Sequence, residues 1–136
     1  MAMPNFRLTD LMTQSPINIV KMMHAKFGIN YEGPPRHLTP EEKEFRIVCL
    51  SEELTEYQEA ITLEDELDAL IDLIVFSLGT LERHGFAFTL PFMEVMNANL
   101  QKKLAESSSE SKRGFEIDLV KPKGWLAPNM KPYTME

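Results

Sequence analysis

Residues 51–80 read SEELTEYQEAITLEDELDALIDLIVFSLGT, and acidic and apolar side chains recur in them at helical spacing. An α-helix turns once every 3.6 residues, so residues three or four apart lie on one face. Extending the pattern outward gives one stripe of Phe45, Cys49, Glu53, Glu56 and Ala60. A second stripe contains Asp65, Asp68, Asp72, Val75 and Gly79. The very short connection between the two helices makes them antiparallel neighbours, which favours a helical bundle.

Start and stop signals predict where the two helices of this stretch begin and end. They also predict two further helices, one on each side of it. Ser15 and Thr39 are good N-cap residues, each is followed by a proline suited to the first turn, and Gly85 supplies a stop. We therefore predict helices from Pro16 to Gly28, from Pro40 to about Ile61, from about Leu63 to Arg83 or His84, and from Pro91 to about Leu104. A short strand is expected at Phe115–Val120.

The predicted architecture is all-α and four-helix bundle-like. A length of 136 residues favours a single domain, 1–136, with its core at about 15–104 and an extended C-terminal arm at about 105–136. The longest apolar run, Leu73–Phe76, is too short to cross a bilayer, and Met1–Asp10 lacks the apolar stretch of a secretory signal. We expect a cytoplasmic protein without a membrane partner.

The distribution of charge indicates which ligands suit the central helices. The net charge is −7, and 12 of the 21 acidic residues lie between Glu41 and Asp72, against only Lys43 and Arg46. Such a segment repels a phosphate backbone, so no nucleic-acid polymer is expected as a partner. It suits divalent cations, which prefer oxygen ligands.

The acidic members of the two stripes point to a metal site. Glu53 and Glu56 lie about 60° apart around the helix axis, and Asp68 and Asp72 about 40° apart. Burying carboxylates between helices costs on the order of several kcal/mol per ion unless a cation neutralises them, and Mg²⁺ is a suitable cation. A second interpretation stays open, in which these acids form a solvated helix face and Asp65 caps its helix.

Other chemistries lack the residues that they need. The sequence contains no P-loop, no GxGxxG motif and no Glu-x-x-His pair, and one cysteine cannot form an internal disulfide. His24, His37 and His84 are scattered, and each is expected to be structural or exposed. Cys49 lies on an inward stripe and is expected to be a small buried apolar group.

The acidic motifs also carry a resemblance to a known family. Glu52–Glu56 followed by Asp68–Leu73 resembles the two motifs of the all-α nucleoside triphosphate pyrophosphohydrolases, which include MazG-like, phosphoribosyl-ATP pyrophosphohydrolase-like and dimeric dUTPase-like proteins. The likeness covers about Phe27 to Pro128. It is strengthened by Phe45-Arg46, Asp72–Thr80, His84-Gly85, Asn97–Lys102, Lys121–Trp125 and Pro128. Many relatives carry Glu-x-x-Asp as the second motif, whereas here Ala69 stands three residues before Asp72 and Asp68 is the substitute.

The resemblance implies hydrolysis of a nucleoside triphosphate between the α and β phosphates, which gives a nucleoside monophosphate and pyrophosphate. It implies metal ligation by Glu53, Glu56, Asp68 and Asp72, with Mg²⁺ as the cofactor and Mn²⁺ as a substitute. A carboxylate, Glu52 or Glu53, would accept the proton of the attacking water.

The substrate and the assembly are likewise implied by the resemblance. The substrate-binding candidates are Asn99, Lys102, Arg113, Lys121 and Trp125, and Trp125 either stacks on a base or anchors the arm. We expect a homodimer or homotetramer of a phage-type enzyme that controls nucleotide pools, in the host cytoplasm if phage-encoded, with a lean towards dGTP or GTP. The alternatives are a phosphoribosyl-ATP pyrophosphohydrolase and a non-catalytic helical binding or regulatory protein.

Overall fold

The computed structural model describes residues 7–135, which are mostly helical. The helices are α1 (Leu8–Leu11), α2 (Pro16–Lys26), α3 (Pro40–Glu59), α4 (Leu63–His84) and α5 (Thr89–Leu100). Two short strands, β1 (Lys103–Leu104) and β2 (Leu119–Val120), pair antiparallel, and single 3₁₀ turns lie at Ser108–Glu110 and Lys131–Tyr133. The prediction of an all-α fold with a C-terminal extension is confirmed.

The described chain forms two compact units. The first contains residues 7–88 with 134–135, and the second contains residues 89–133. The predicted single domain also included residues 1–6 and 136, which lie outside the described residues. Among residues 7–135, no helix combines the length and the apolar character needed to span a bilayer.

Local capping explains where the helices of the first unit begin and end. The hydroxyls of Ser15, Thr39 and Thr62 accept hydrogen bonds from backbone N–H groups in the first turns of α2, α3 and α4, at 3.1–3.3 Å. At the other end of α4, Gly85 adopts the left-handed conformation (φ 77°) that glycine tolerates best. The predicted starts at Pro16 and Pro40 and the stop at Gly85 are confirmed.

The core of the first unit lies where α2 and α3 pack against α4. Ile17, Val20 and Leu78 are buried, and Val75, Leu81 and Phe88 pack against them. Cys49 is also buried, as expected, and burial raises the pKa of its thiol. Phe45 was expected to face inward with Cys49 but is 55% exposed.

A buried hydrogen bond between two side chains connects α2 to α4. His24 Nδ1 lies 2.5 Å from Glu82 Oε2, and both residues are less than 5% exposed. The other oxygen of Glu82 accepts the backbone N–H of Tyr31 at 2.8 Å. The interpretation of His24 as structural is confirmed, because this pair fixes α2 and the following loop on α4.

The second unit contains α5 and the short hairpin. The prediction that this helix begins at Pro91 and runs to about Leu104 is wrong at both ends, since α5 begins at Thr89 and ends at Leu100. Lys103 and Leu104 instead pair with Val120 and Leu119, so the cross-strand hydrogen bonds replace another helical turn. The expected strand at Phe115–Val120 is confirmed only for its last two residues.

Candidate active site

Three carboxylates from the two longest helices converge in the first unit. One carboxylate oxygen from each of Glu53, Glu56 and Asp72 lies within 4.8 Å of the other two. Glu53 and Glu56 are one turn apart on α3, and Asp72 lies on α4. Because residues 60–62 are the whole connection between these helices, α4 returns along α3 and brings Asp72 to the glutamates.

Glu53 occupies the most unusual environment of the three. Its residue is partly buried, and its Oε2 atom is inaccessible to solvent and has no hydrogen-bond partner. Burial, together with the neighbouring charges of Glu56 and Asp72, raises the pKa of Glu53 to about 7. Burial also raises the pKa of Asp72, and the negative charges of the nearby Asp68 and Glu56 raise it further.

These properties fit a divalent cation. A buried carboxylate oxygen without a partner has lost its hydrogen bonds to water and makes none with the protein, which costs free energy. A cation between the three carboxylates would supply the missing partner and favour their ionised forms. All three donors are oxygens, as Mg²⁺ and Mn²⁺ prefer, and no imidazole or thiolate joins the group.

The structure places Asp68 and Glu52 beside the group rather than in it. Asp68 is exposed and lines a cavity of about 300 Å³ with Glu56, Glu59 and Asp65. Its charge still contributes to the raised pKa values of Glu53 and Asp72. Glu52 is exposed on the neighbouring face of α3, along with Ser51 and Thr55.

The five substrate-binding candidates all lie in the second unit. Lys102, Arg113 and Lys121 line one cavity of about 560 Å³. Arg113 is paired with Asp118, whose oxygens lie 3.0 Å from its guanidinium. Asn99 is half-buried near the end of α5, and its carbonyl accepts the backbone N–H of Lys102 at 3.1 Å.

Trp125 fastens the C-terminal arm to α5. Its indole N–H donates a hydrogen bond of 2.7 Å to the carbonyl of Ala98. The ammonium groups of Lys102 and Lys121 lie 5.3 and 5.1 Å from the centroid of its ring. These contacts favour the anchoring interpretation, because the polar edge of the indole is occupied by the protein's own backbone.

One residue near these sites, Lys112, was not among the predicted site residues. Lys112 lines the same cavity as Lys102, and its place in the basic run Lys112-Arg113 was the only signal for it in the sequence.

Arg46 is buried on α3 against Gly79, and its Nε has no hydrogen-bond partner. Burial lowers the pKa of Arg46. A Cβ at position 79 would approach the Arg46 guanidinium to 3.0 Å, which explains the glycine there.

The fold and the carboxylates together define an all-α protein with a candidate divalent-metal centre between two helices. A family model described as phosphoribosyl-ATP pyrophosphohydrolase matches residues 20–99. The chain belongs to this family, within the MazG-like all-α nucleoside triphosphate pyrophosphohydrolase superfamily. No curated protein sequence matches it. The resemblance in the acidic motifs is thus confirmed, and membership indicates a hydrolase acting on pyrophosphate bonds of nucleotides.

Proposed function

We propose that the protein is a Mg²⁺-dependent nucleoside triphosphate pyrophosphohydrolase that cleaves its substrate between the α and β phosphates. The observation that carries this proposal is the unpaired, buried oxygen of Glu53 beside the carboxylates of Glu56 and Asp72. Such a group is costly in a protein that has no use for a cation there. It lies inside the segment that matches the pyrophosphohydrolase family.

Glu53, Glu56 and Asp72 would hold the cation. Asp68, one turn before Asp72 on α4, would add a fourth carboxylate. A bound divalent cation supplies positive charge that stabilises the phosphate oxygens and makes water more acidic. Mn²⁺ should substitute, because it accepts the same oxygen ligands. The number of carboxylates suits a site that leaves room for phosphate ligands.

A carboxylate of α3 would accept the proton of the attacking water. The water oxygen forms a bond to the α-phosphorus, the bond from that phosphorus to the bridging oxygen breaks, and pyrophosphate leaves. Glu52 is one candidate base, because it is exposed and lies outside the carboxylate group. Glu53 is the other, through a carboxylate oxygen that the cation leaves unoccupied.

The second unit would supply the substrate-binding side chains. Lys102, Arg113 and Lys121 carry the positive charge that phosphates require, and Asn99 and Trp125 lie on the same unit. We propose a deoxynucleoside or ribonucleoside triphosphate as the substrate, with dGTP and GTP favoured, and a role in the control of nucleotide pools. The family description favours phosphoribosyl-ATP as the second candidate substrate.

We also propose that the protein is a homodimer or homotetramer. Within the first unit, α3 and α4 expose apolar side chains that a monomer would normally bury. They include Ile47, Val48 and Leu54 on α3 and Leu67, Ile71 and Ile74 on α4, each 46–63% exposed. An exposed apolar surface of this kind is typical of a protein–protein interface.

Hydrolysis in isotopically labelled water tests the reaction. We expect pyrophosphate release from a panel of nucleotides only when Mg²⁺ or Mn²⁺ is present, with the label in the nucleoside monophosphate. Label in the pyrophosphate would contradict attack at the α-phosphorus. Turnover of phosphoribosyl-ATP alone would favour the second substrate. No turnover of any nucleotide, and no effect of metal on the melting temperature, would favour a non-catalytic binding or regulatory protein.

A further inference from the structure

The interface between α3 and α4 that contains the carboxylates continues towards the far end of both helices. Arg46 lies seven residues before Glu53 on α3, and Gly79 lies seven residues after Asp72 on α4. Seven residues make about two helical turns, or ~10.5 Å along the axis. Arg46 and Gly79 therefore meet on the same sides of the two helices as the carboxylates, about two turns away from them.

The approach of Arg46 to α4 is close enough to require glycine at position 79. A Cβ atom there would lie 3.0 Å from the Arg46 guanidinium and 3.2 Å from His24 Nε2, and both distances are shorter than an ordinary van der Waals contact. Glycine is among the least favourable residues inside a helix, so a buried glycine within α4 indicates a packing reason. The contact with Arg46 supplies that reason.

The neighbours of Gly79 are held in place. Arg46 is 7% exposed and His24 is 2% exposed, and the His24 ring is bonded through Nδ1 to Glu82. The Nε of Arg46 is shielded from solvent without a hydrogen-bond partner, a cost that an apolar side chain would avoid. Within residues 7–135, Arg46 also forms no ion pair. Its role at this contact is therefore one of packing α3 against α4.

The carboxylates lie between two points that fix α4 on α3. One point is the connection at residues 60–62, and the other is the contact of Arg46 with Gly79. At the helical rise per residue, Gly79 lies ~26 Å and Asp72 ~15 Å along α4 from residue 62, so a displacement at Gly79 moves Asp72 by about 0.6 of its size. A methyl group at position 79 needs a few tenths of an ångström more room. Asp72 would then move by ~0.2 Å or more.

We propose that Arg46 and Gly79 are positioning residues that hold Asp72 at a distance from Glu53 suited to a small cation, and that they thereby favour Mg²⁺ over Ca²⁺. Mg²⁺ requires oxygen ligands at about 2.0–2.1 Å in nearly ideal octahedral geometry, whereas Ca²⁺ accepts about 2.3–2.6 Å in flexible arrangements. A separation that is wider by a few tenths of an ångström therefore penalises Mg²⁺ more than Ca²⁺. The inference rests on the proposed metal centre of Glu53, Glu56 and Asp72.

Competition between cations, measured on the full-length protein without nucleotide, tests the proposal. Mn²⁺ binding is followed by electron paramagnetic resonance, and Mg²⁺ and Ca²⁺ are each used to displace the Mn²⁺. In Gly79→Ala we expect the ratio of Mg²⁺ affinity to Ca²⁺ affinity to fall about tenfold or more, as for other residues that orient metal ligands. Adding Arg46→Ala to Gly79→Ala should recover part of this ratio, because the new methyl group then lies in space that the guanidinium has left. Circular dichroism shows that each variant is folded.

Ile17→Ala is the matched control, because it removes buried apolar volume where α2 packs against α4. It should lower the melting temperature and leave the ratio of Mg²⁺ to Ca²⁺ affinity unchanged. An unchanged ratio in Gly79→Ala, or an equal fall in Ile17→Ala, would overturn the proposal. If Gly79→Ala does not fold, Arg46→Ala alone decides: it removes the same contact and must lower the ratio, and an unchanged ratio would overturn the proposal.

The positioning role and the proposed function can fail separately, because no hydrolysis is measured. Metal-dependent nucleotide hydrolysis by the wild type, with an unchanged ratio in Gly79→Ala, would end the positioning role and leave the proposed function in place. The predicted change of ratio, in a protein that hydrolyses no nucleotide, would do the reverse. A wild type that binds no Mn²⁺ would overturn both.

Discussion

Asp72 of α4 presents a carboxylate oxygen within 4.8 Å of an oxygen of Glu53 on α3. Burial is the main cause that raises the pKa of each acid, and neighbouring carboxylates add to it: Glu56 and Asp72 at Glu53, and Asp68 and Glu56 at Asp72. The pair is nevertheless built on two well-capped helices that are joined by a short connection. The fold thus holds in place an arrangement that is unfavourable until a cation binds.

Substitution of the carboxylates should separate activity from folding. Glu53→Gln and Asp72→Asn each remove a proposed metal ligand while keeping the size of the side chain, so we expect nucleotide hydrolysis to fall at least about 100-fold. The fold should be retained, because the repulsion between the acids is relieved. Steady-state kinetics and circular dichroism measure the two effects. Glu44→Gln, at an exposed acid of the same helix that lies outside the site, is the control and should keep its activity; unchanged rates in either site variant would contradict the assignment.

The metal-free protein should become less stable as the pH rises from about 4.5 to about 7. In this range the folded state retains a proton on Glu53, whose pKa is about 7, whereas in the unfolded chain this group has its ordinary pKa of 4.5 and has released it. More protons are bound in the folded state, so the free energy of unfolding falls with pH. Melting temperatures measured with EDTA at several pH values check this. The decline should be smaller in Glu53→Gln.

Added Mg²⁺ or Mn²⁺ should raise the melting temperature more at pH 8 than at pH 5. At the lower pH, protons compete with the cation for Glu53 and Asp72, whose pKa values are both raised. Differential scanning fluorimetry with and without metal measures the shift. An equal shift at both pH values, or the same shift in Asp72→Asn, would place the metal elsewhere.

The sequence predicted those parts of the fold that depend on neighbouring residues. Ser15, Thr39 and Gly85 mark helix ends through contacts within a few residues, and the structure agrees with them. The end of α5 was missed because Leu104 pairs with Leu119, a contact that no local pattern reveals. The pairing of His24 with Glu82 was equally invisible, since the two residues lie on different helices.

The candidate site was predictable to a similar extent. Helical spacing placed Glu53, Glu56 and Asp72 on facing stripes, and their side chains converge. The same spacing included Asp68, which is exposed and lies outside the converging group. Periodicity gives the face of a helix but not how deeply each side chain on that face is covered. The cavity lined by Lys102, Arg113 and Lys121 depends on the position of the C-terminal arm, which carries little periodicity.

Loss of the buried pair between α2 and α4 should cost more stability than loss of an exposed acid. Glu82→Ala leaves the His24 ring and the backbone N–H of Tyr31 without their partner. We expect a loss of about 3 kcal/mol in the free energy of unfolding, within the range measured for broken buried pairs. Urea denaturation measures it. Glu44→Ala, at an exposed acid of α3, should change the free energy by less than about 0.5 kcal/mol; similar losses in the two variants would contradict the role of the pair.

Removal of the indole N–H should loosen the C-terminal arm. Trp125→Phe keeps an aromatic ring but loses the hydrogen bond to the Ala98 carbonyl, which is worth about 1 kcal/mol. Hydrogen exchange by mass spectrometry should therefore be faster in β2 and in residues 121–125, while α3 and α4 are unchanged. Unaltered exchange in the arm would show that the ring itself, and not its N–H group, holds the arm in place.

Direct measurement of Mn²⁺ binding tests the central claim, that the Glu53, Glu56 and Asp72 carboxylates form a divalent-metal centre. Electron paramagnetic resonance of free Mn²⁺, titrated with wild-type protein, Glu53→Gln and the control Glu44→Gln, gives the affinity of each. We expect the wild type and Glu44→Gln to bind alike and Glu53→Gln to bind at least about tenfold more weakly. Equal Mn²⁺ affinity in all three proteins, or no binding by the wild type, would contradict the account.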